Sequence, residues 1–177
     1  MRMMISRHGA IMGLLLGTLA GGATAGEVAL DKVPAPVMDA VKAWFADAKV
    51  TGAGKEKTPE GQEVYEISLE NKSYPNIDVT VTTEGAILLI EKQITRKNLP
   101  EPVLTSLEGK YAKAKYKIVE EIIDVVESTE VAGKKEEKLR AYEVLLMTPE
   151  KQLWSVELGL DGKILKEEKK PLEEEDD

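Results

Sequence analysis

Cysteine is absent from the 177-residue chain, and histidine occurs only once, at His8. Because there are no thiols, no disulfide can form, and packing alone must hold the fold together. Past residue 25 there is neither histidine nor cysteine, which excludes Ser-His-Asp and Cys-His catalysis and the usual imidazole or thiolate metal sites. The sequence therefore predicts no catalytic residues, no metal ligands and no cofactor. Carboxylate pairs, Ser-Lys dyads and oxygen-ligated calcium stay open in principle.

Long hydrophobic runs are also absent, apart from one near the start. Residues 11–20 read IMGLLLGTLA, about half of the roughly 20 residues that a membrane-spanning helix needs. Arg2 and Arg7 precede this run, and Ala23-Thr24-Ala25 follows it. The pattern predicts a signal peptide over residues 1–25 that is cleaved near Ala25, the alternative being an anchor that is never cleaved. We therefore expect an exported protein with no membrane span after cleavage.

Basic residues are scarce relative to acidic ones. Removing Arg2 and Arg7 from the 24 Lys and Arg residues leaves 22 against 32 Asp and Glu, a net charge of −10. Such a chain repels nucleic acid, so no nucleic-acid partner is expected. The tail at residues 171–177 reads PLEEEDD, and we predict that it is disordered because like charges repel and bury nothing.

One short motif occurs twice. Residues 33–41 read VPAPVMDAV, and residues 99–107 read LPEPVLTSL. Proline suits the first turn of a helix, where the backbone N–H groups have no intrahelical partner. Apolar residues then recur at helical spacing on one face, and these are Val37, Val41 and Trp44 in the first copy and Val103, Leu107 and Tyr111 in the second. The motif therefore predicts two helices.

After each predicted helix, apolar and polar residues alternate, which indicates half-buried strands. Lead strands are expected at about 49–57 and 115–127. The alternating segments that follow are 64–70, 77–82 and 86–94 in the first half and 141–146, 154–160 and 163–169 in the second. Asp-Gly and Glu-Gly pairs at 161–162 and 84–85 predict hairpin turns rather than calcium loops, because lysines stand where ligands would be needed.

Four matched positions are each 77 residues apart, namely Tyr65 and Tyr142, Val79 and Val156, Gly85 and Gly162, and Ile87 and Ile164. The two Pro-x-Pro motifs are only 66 apart, so the second copy has gained 11 residues, which we place within 117–140. The sequence thus predicts an α+β protein of two tandem repeats, residues 26–98 and 99–170. Each repeat is expected to pack one helix on an antiparallel sheet of about four strands.

The segments VPAPVMDAVKAWFADAKV, YEISLE and VTVTTEGAILLIEKQI resemble one unit of the PepSY-like, beta-lactamase-inhibitor-like (BLIP-like) group of bacterial secreted proteins. The segments LPEPVLTSLEGKYAKAKY, YEVLLM and VELGLDGKILKEEK resemble a second unit. The resemblance implies a tandem fold of antiparallel sheet backed by helices, located in the periplasm or secreted. It also implies a sheet face that binds another protein. No residue motif for inhibition of beta-lactamase is found in this chain, so that activity is not expected.

Five residues are predicted to form an exposed binding surface. Leu145 and Met147 alternate with Tyr142, Val144 and Leu146, so they face outward if the latter face a helix. Leu88 and Ile90 are expected to join them in an apolar patch. Tyr74, in the loop NKSYPN, is the most plausible exposed aromatic, with packing of the loop as the alternative. Contact between two sheets, or a dimer interface, is the alternative use of the patch.

Other conspicuous residues are assigned structural roles. Trp44 and Trp154 lie on apolar stripes and are expected in the core. The acidic segment VEEIIDVVE at 119–127 is expected to be solvated surface charge.

The sequence predicts an exported, non-enzymatic module that binds a protein or peptide, a secreted or envelope peptidase being one such partner. A small-ligand or cation sensor is the alternative, and an enzyme with carboxylate chemistry is a third class that the missing histidine and cysteine disfavour. The oligomeric state is left open.

Overall fold

A computed structural model describes residues 26–127 and 134–172, without the side chain of residue 127. The predicted signal peptide, residues 128–133 and the acidic residues 173–177 lie outside the described residues. Across the part of the chain that the structure describes, no helix is long and apolar enough to cross a membrane.

Within the described residues, nine strands form a single antiparallel sheet in which each strand pairs with the next along the chain. Their bounds are β1 Gly26–Glu27, β2 Lys49–Lys57, β3 Glu63–Glu70, β4 Ile77–Thr82, β5 Ile87–Gln93, β6 Lys115–Glu127, β7 Lys135–Met147, β8 Leu153–Gly159 and β9 Ile164–Lys170. The predicted lead strands coincide with β2 and β6. The expectation of separate sheets of about four strands is wrong, because β5 pairs with β6 and the ladder runs on without a break.

In the part of the chain that the structure describes, two α-helices lie between the strands, α1 at Ala35–Trp44 and α2 at Glu101–Lys110. Each is preceded by a short 3-10 turn, at Leu30–Lys32 and Arg96–Asn98. Each helix carries one proline of its motif at the N-cap, Pro34 or Pro100, and another within the first turn. Proline fits there because it has no N–H to leave unpaired. The repeated motif therefore starts helices, as the sequence predicts.

Both helices pack on the same face of the sheet and bury two hydrophobic clusters. The cluster under α1 takes its largest fully buried side chains from β3, β4 and β5. The cluster under α2 takes them from β7 and β8. Trp44 and Trp154 are partly buried against these clusters, in line with the core role expected from the sequence.

The hairpin of β6 and β7 is longer than the others and reaches the first cluster. Ile123 and Val125 of β6 are buried in the cluster under α1, and Leu139 of β7 packs against both clusters. Glu137 of β7 accepts a hydrogen bond from Trp44 Nε1 at 3.2 Å and pairs with Lys92 Nζ at 2.8 Å. The long hairpin therefore links the second group of strands to the first helix.

Each helix start touches a glycine in a hairpin turn. Gly85 and Gly162 have φ angles of 88° and 81°, in the left-handed region that favours glycine. A Cβ on Gly85 would lie 2.6 Å from the carbonyl oxygen of Pro36, and a Cβ on Gly162 would clash with that of Pro102. Only glycine lets the turn approach the first helical turn this closely.

We predict that Gly85→Ala destabilises the fold by more than about 2 kcal/mol, because the left-handed backbone alone costs about 1–2 kcal/mol and the clash with Pro36 adds to it. Gly109→Ala is the matched control, since Gly109 lies in α2 with open space where its Cβ would stand. The control is expected to gain about 0.5–1 kcal/mol from its higher helix propensity. Urea unfolding measures both changes. Wild-type stability in Gly85→Ala would contradict the contact between turn and helix.

Candidate functional site

The sheet face opposite the helices, called here the open face, is covered by no other element among the described residues. Alternation decides which side chains reach it. Tyr142, Val144 and Leu146 of β7 are buried under α2, so Glu143 and Leu145 between them point to the open face.

Leu145 and Met147 therefore lie on the open face, on the side that the sequence predicts. Both are half-buried and belong to neither core cluster. Leu145 stands opposite Ile118 of β6 and Ser155 of β8.

Ile90 does not join them, and this part of the predicted patch is wrong. Its side chain is fully buried in the cluster under α1. The reason is a bulge in β5, where Val81 pairs with Ile87 and Thr80 with Leu89, which leaves Leu88 as an extra residue. The bulge resets the alternation, so Ile87 and Ile90 both face the core, while Leu88 is 36% exposed.

Tyr74 packs its loop, which is the alternative considered for it. Its side chain is half-buried against the cluster under α1. Asn71 Oδ1 accepts hydrogen bonds from the backbone N–H groups of Ser73 and Tyr74, both at 2.9 Å. Lys92 Nζ lies 5.8 Å from the centre of the ring. These contacts hold Tyr74 on the side of the sheet that carries the helices.

Carboxyl groups run across the middle of the open face on six neighbouring strands. Asp78 and Glu91 are directly opposite each other on β4 and β5. Glu143 stands between Glu120 of β6 and Glu157 of β8, paired with both. We call the set the acidic band; its members are Glu66, Asp78, Glu91, Glu120, Glu143 and Glu157.

Most of the acidic band is buried, contrary to the expectation of solvated charge at 119–127. Glu91 is 6% exposed, Glu120 7% and Glu143 5%. Buried apolar residues share this face without belonging to either core cluster, and these are Val64, Ile122 and Ala141. Neighbouring side chains on the sheet itself therefore exclude water from the carboxyl groups.

Hydrogen bonds satisfy only part of the acidic band. Asp78 accepts hydrogen bonds from Ser68 Oγ at 2.6 Å and from Asn76 Nδ2 at 2.5 Å. Ser155 Oγ donates to Glu143 Oε1. Glu91 Oε1 is buried and has no hydrogen-bond partner. A buried acceptor without a donor costs about 1–3 kcal/mol.

Burial raises the pKa of these groups. Desolvation, followed by the charges of other carboxyl groups, raises the pKa of Glu66 and of Glu120 to about 8. The same two causes hold the pKa of Glu91 well above its usual range. Desolvation also raises the pKa of Asp78, against the hydrogen bonds from Ser68 and Asn76. At neutral pH, Glu66 and Glu120 are therefore mostly protonated.

The side chains of the acidic band converge. Glu66 on β3 and Glu120 on β6 are three strands apart, about 14 Å on a flat sheet with strands about 4.8 Å apart. The charge of Glu120 nevertheless raises the pKa of Glu66. The two carboxyl groups therefore act on each other although two strands lie between them.

The acidic band is not a preformed metal site. Within residues 26–127 and 134–172, no three acidic side chains are grouped closely enough to hold an ion. Basic side chains also reach this face. Arg140 lies 3.7 Å from both Asp124 and Glu157, and the charges of Lys166, which pairs with Glu157, and of Lys170 act to lower the pKa of Glu143. The arrangement can therefore accept positive groups that bridge separate carboxyls.

Sequence reasoning missed the acidic band because burial of a strand residue depends on neighbours that the sequence does not identify. One signal was available. Glu66 and Glu143 each follow a tyrosine and are 77 residues apart, like the other matched positions. An acidic residue at the same strand position in both halves indicates that the two halves place a carboxyl group on the same face of the sheet.

No protein-family model matches the sequence, and no curated protein matches it. Solved structures do match the fold. A BLIP-like protein from Bacteroides fragilis has a TM-score of 0.53 at 16% identity, covering 80% of this chain and 90% of that one. A DUF2874 family protein from Bacteroides uniformis has a TM-score of 0.55 at 12% identity, covering 77% and 88%.

A third similar structure is a Bacteroides eggerthii protein assigned to the periplasm by prediction, with a TM-score of 0.57 at 11% identity over 77% of this chain and 88% of that chain. At such identities the likeness concerns the fold alone. The fold is thus similar to that of BLIP-like proteins, as the sequence resemblance implies.

We predict that stability falls as pH rises from about 4.5 to about 8. Over this range the folded chain keeps protons on Glu66 and Glu120 that the unfolded chain has already lost, so raising the pH favours unfolding. Glu120→Gln removes one of these titrations. At pH 9 it is expected to exceed wild-type stability by at least about 1.4 kcal/mol, the equivalent of one pKa unit.

Urea unfolding at pH 5, 7 and 9 measures this dependence. At pH 5, where Glu120 is protonated, the variant and the wild type are expected to be about equally stable. Glu60→Gln, in an exposed turn, removes the same charge and is expected to leave the pH dependence unchanged. Parallel pH profiles for wild type and Glu120→Gln would contradict a buried carboxyl group at this position.

Proposed function

We propose that the chain is an exported, non-enzymatic module that binds a protein or peptide partner through its open face. The observation that carries the proposal is the open face itself, which lies opposite the helices and combines buried carboxyls with the half-buried side chains of Leu145 and Met147.

The proposal includes two tandem PepSY-like units, residues 26–98 and 99–170, preceded by a cleaved signal peptide. The matched contacts of Gly85 with Pro36 and of Gly162 with Pro102 support the tandem units. The periplasmic assignment of a protein of similar fold supports export. The absence of histidine and cysteine past residue 25 supports a role in binding rather than catalysis.

Leu145 and Met147 are the proposed apolar contacts, and Leu88 is a further exposed side chain beyond the β5 bulge. Ile90 does not belong to the proposed surface, because its side chain is buried in the core. Tyr74 belongs to the helix-bearing side. A secreted or envelope peptidase is the partner class to test first.

Binding of a cation or small ligand is the second candidate. The observation that favours it is the buried, unpartnered Oε1 of Glu91 amid other carboxyl groups. The lack of any grouped set of metal ligands among the residues described counts against a divalent ion.

A photo-crosslinking amino acid in place of Leu145 tests the proposed surface. The full chain carrying it is produced in its native cell and irradiated, and crosslinked proteins are identified by mass spectrometry. We expect a specific partner from this position. The same amino acid in place of Ala43, on the exposed side of α1, is the control and is expected to give none.

The variant with Leu145→Lys and Met147→Lys completes the test, because two charges in an apolar contact are expected to abolish capture of the same partner by tagged protein. Circular dichroism checks that the variant folds. Equal crosslinking from positions 43 and 145, or none from position 145, would contradict binding through the open face.

A further inference from the structure

We propose that the acidic band binds an arginine side chain presented by a peptide segment of the partner, with the unpartnered oxygen of Glu91 as one acceptor. This inference rests on the proposed function and adds the chemistry of the partner. It concerns the centre of the open face, whereas the crosslinking experiment concerns its apolar part at Leu145.

Glu91 supplies the first argument. Its side chain is 6% exposed, and its Oε1 has no hydrogen-bond donor within reach. Other buried carboxyls do have donors, since Asp78 accepts from Ser68 and Glu143 from Ser155. Glu56 of β2 shares with Glu91 a buried oxygen that has no partner. A donor from outside the chain would satisfy Glu91.

Charge supplies the second argument. The largest electrostatic effects on Glu91 all come from other carboxyl groups, in the order Glu120, Glu143, Glu66 and Asp78. The corresponding charges acting on Glu120 are those of Asp78 and Glu143. A positive group placed among these side chains would favour their ionised forms on several strands at once.

Arg140 supplies a precedent on the same face. It is the extra residue of a bulge in β7, between Ala141, which pairs with Ile122, and Leu139, which pairs with Ile123. Its Nε lies 3.7 Å from Asp124 Oδ1, and its Nη2 lies 3.7 Å from Glu157 Oε1. A guanidinium group therefore already lies between Asp124 of β6 and Glu157 of β8, the latter a member of the acidic band.

The spacing favours a guanidinium group over a metal ion. Neighbouring strands are about 4.8 Å apart, so carboxyls on adjacent strands suit the planar fork of five N–H donors in arginine. A metal ion needs several ligands within about 2.6 Å of one point, and the described residues offer no such group.

The apolar residues beside the acidic band keep water away from it. Val64 is 3% exposed, and Ile122, opposite Glu91, is fully buried on the open face. Exclusion of water here also strengthens each pair of opposite charges.

Protons connect binding to pH. In the free chain Glu66 and Glu120 hold protons at neutral pH, since burial and neighbouring carboxyls raise the pKa of each to about 8. A bound guanidinium group favours the ionised carboxyls, so binding releases protons. Affinity then rises about tenfold per pH unit for each proton released, up to about pH 8.

The probe is a fluorescein-labelled peptide with two arginines among glycine and serine residues. The matched peptide carries citrulline, which has nearly the same shape as arginine and no charge. Fluorescence anisotropy with the full chain at pH 6, 7 and 8 gives Kd. We expect at least about tenfold weaker binding of the citrulline peptide and tighter binding of the arginine peptide as pH rises.

Glu91→Gln and Glu66→Gln test the residues. Each variant is expected to weaken binding of the arginine peptide at least about fivefold, in line with the loss of a charged hydrogen bond. Each is also expected to reduce the number of protons released on binding, which calorimetry in phosphate and Tris buffers measures. Glu60→Gln and Glu150→Gln, in exposed turns, are the matched controls and are expected to bind normally. Glu66 is less buried than Glu91, so Glu66→Gln can still be used to test the proposal if Glu91→Gln does not fold.

Equal binding of the two peptides, or an unchanged Kd in both band variants, would overturn the inference. Binding of calcium or magnesium chloride alone, with no preference for arginine, would overturn it in favour of a metal site. A partner that still crosslinks at position 145 in either case leaves the proposed function standing, so the two failures can be told apart.

Discussion

The pairing of β5 with β6 joins the strands behind α1 to the strands behind α2. On the core side it sets Ile90 against Ile123, which carries part of β6 into the first cluster. On the open side it sets Glu91 against Ile122 and Gln93 against Glu120. One ladder therefore fixes both the continuity of the core and the gathering of carboxyl groups from the two halves.

The alternation of side chains along each strand links the continuous core to the gathering of carboxyl groups on the open face. A strand that gives every second residue to a core must turn the others to the opposite face. On the open face, six acidic strand residues therefore lie together where water is partly excluded. Each pKa unit of displacement corresponds to about 1.4 kcal/mol, so ionising the whole acidic band would strain a fold of ordinary stability. Retained protons on Glu66 and Glu120 relieve that strain.

Much of this architecture could be predicted from the sequence. The doubled Pro-x-Pro motif marks both helix starts, and the change from helical to alternating periodicity marks the strands. Leu145 was placed on the correct face because β7 is regular there. Ile90 was misplaced because the bulge at Leu88 leaves no clear signal in the pattern. The acidic band could not be predicted because its burial arises from strand pairing, which joins residues distant in sequence.

Stability and binding place opposite demands on the acidic band. The free chain is most stable where the carboxyls keep their protons, whereas a positive partner group needs them ionised. Both demands apply to Glu91, because it is buried, is surrounded by carboxyl groups and lacks a hydrogen-bond donor for Oε1. Replacing this carboxyl by an apolar residue would remove the penalty without disturbing the core side of β5. A residue that a simpler fold could do without, held at a cost in stability, is best explained by a ligand that restores the missing interaction.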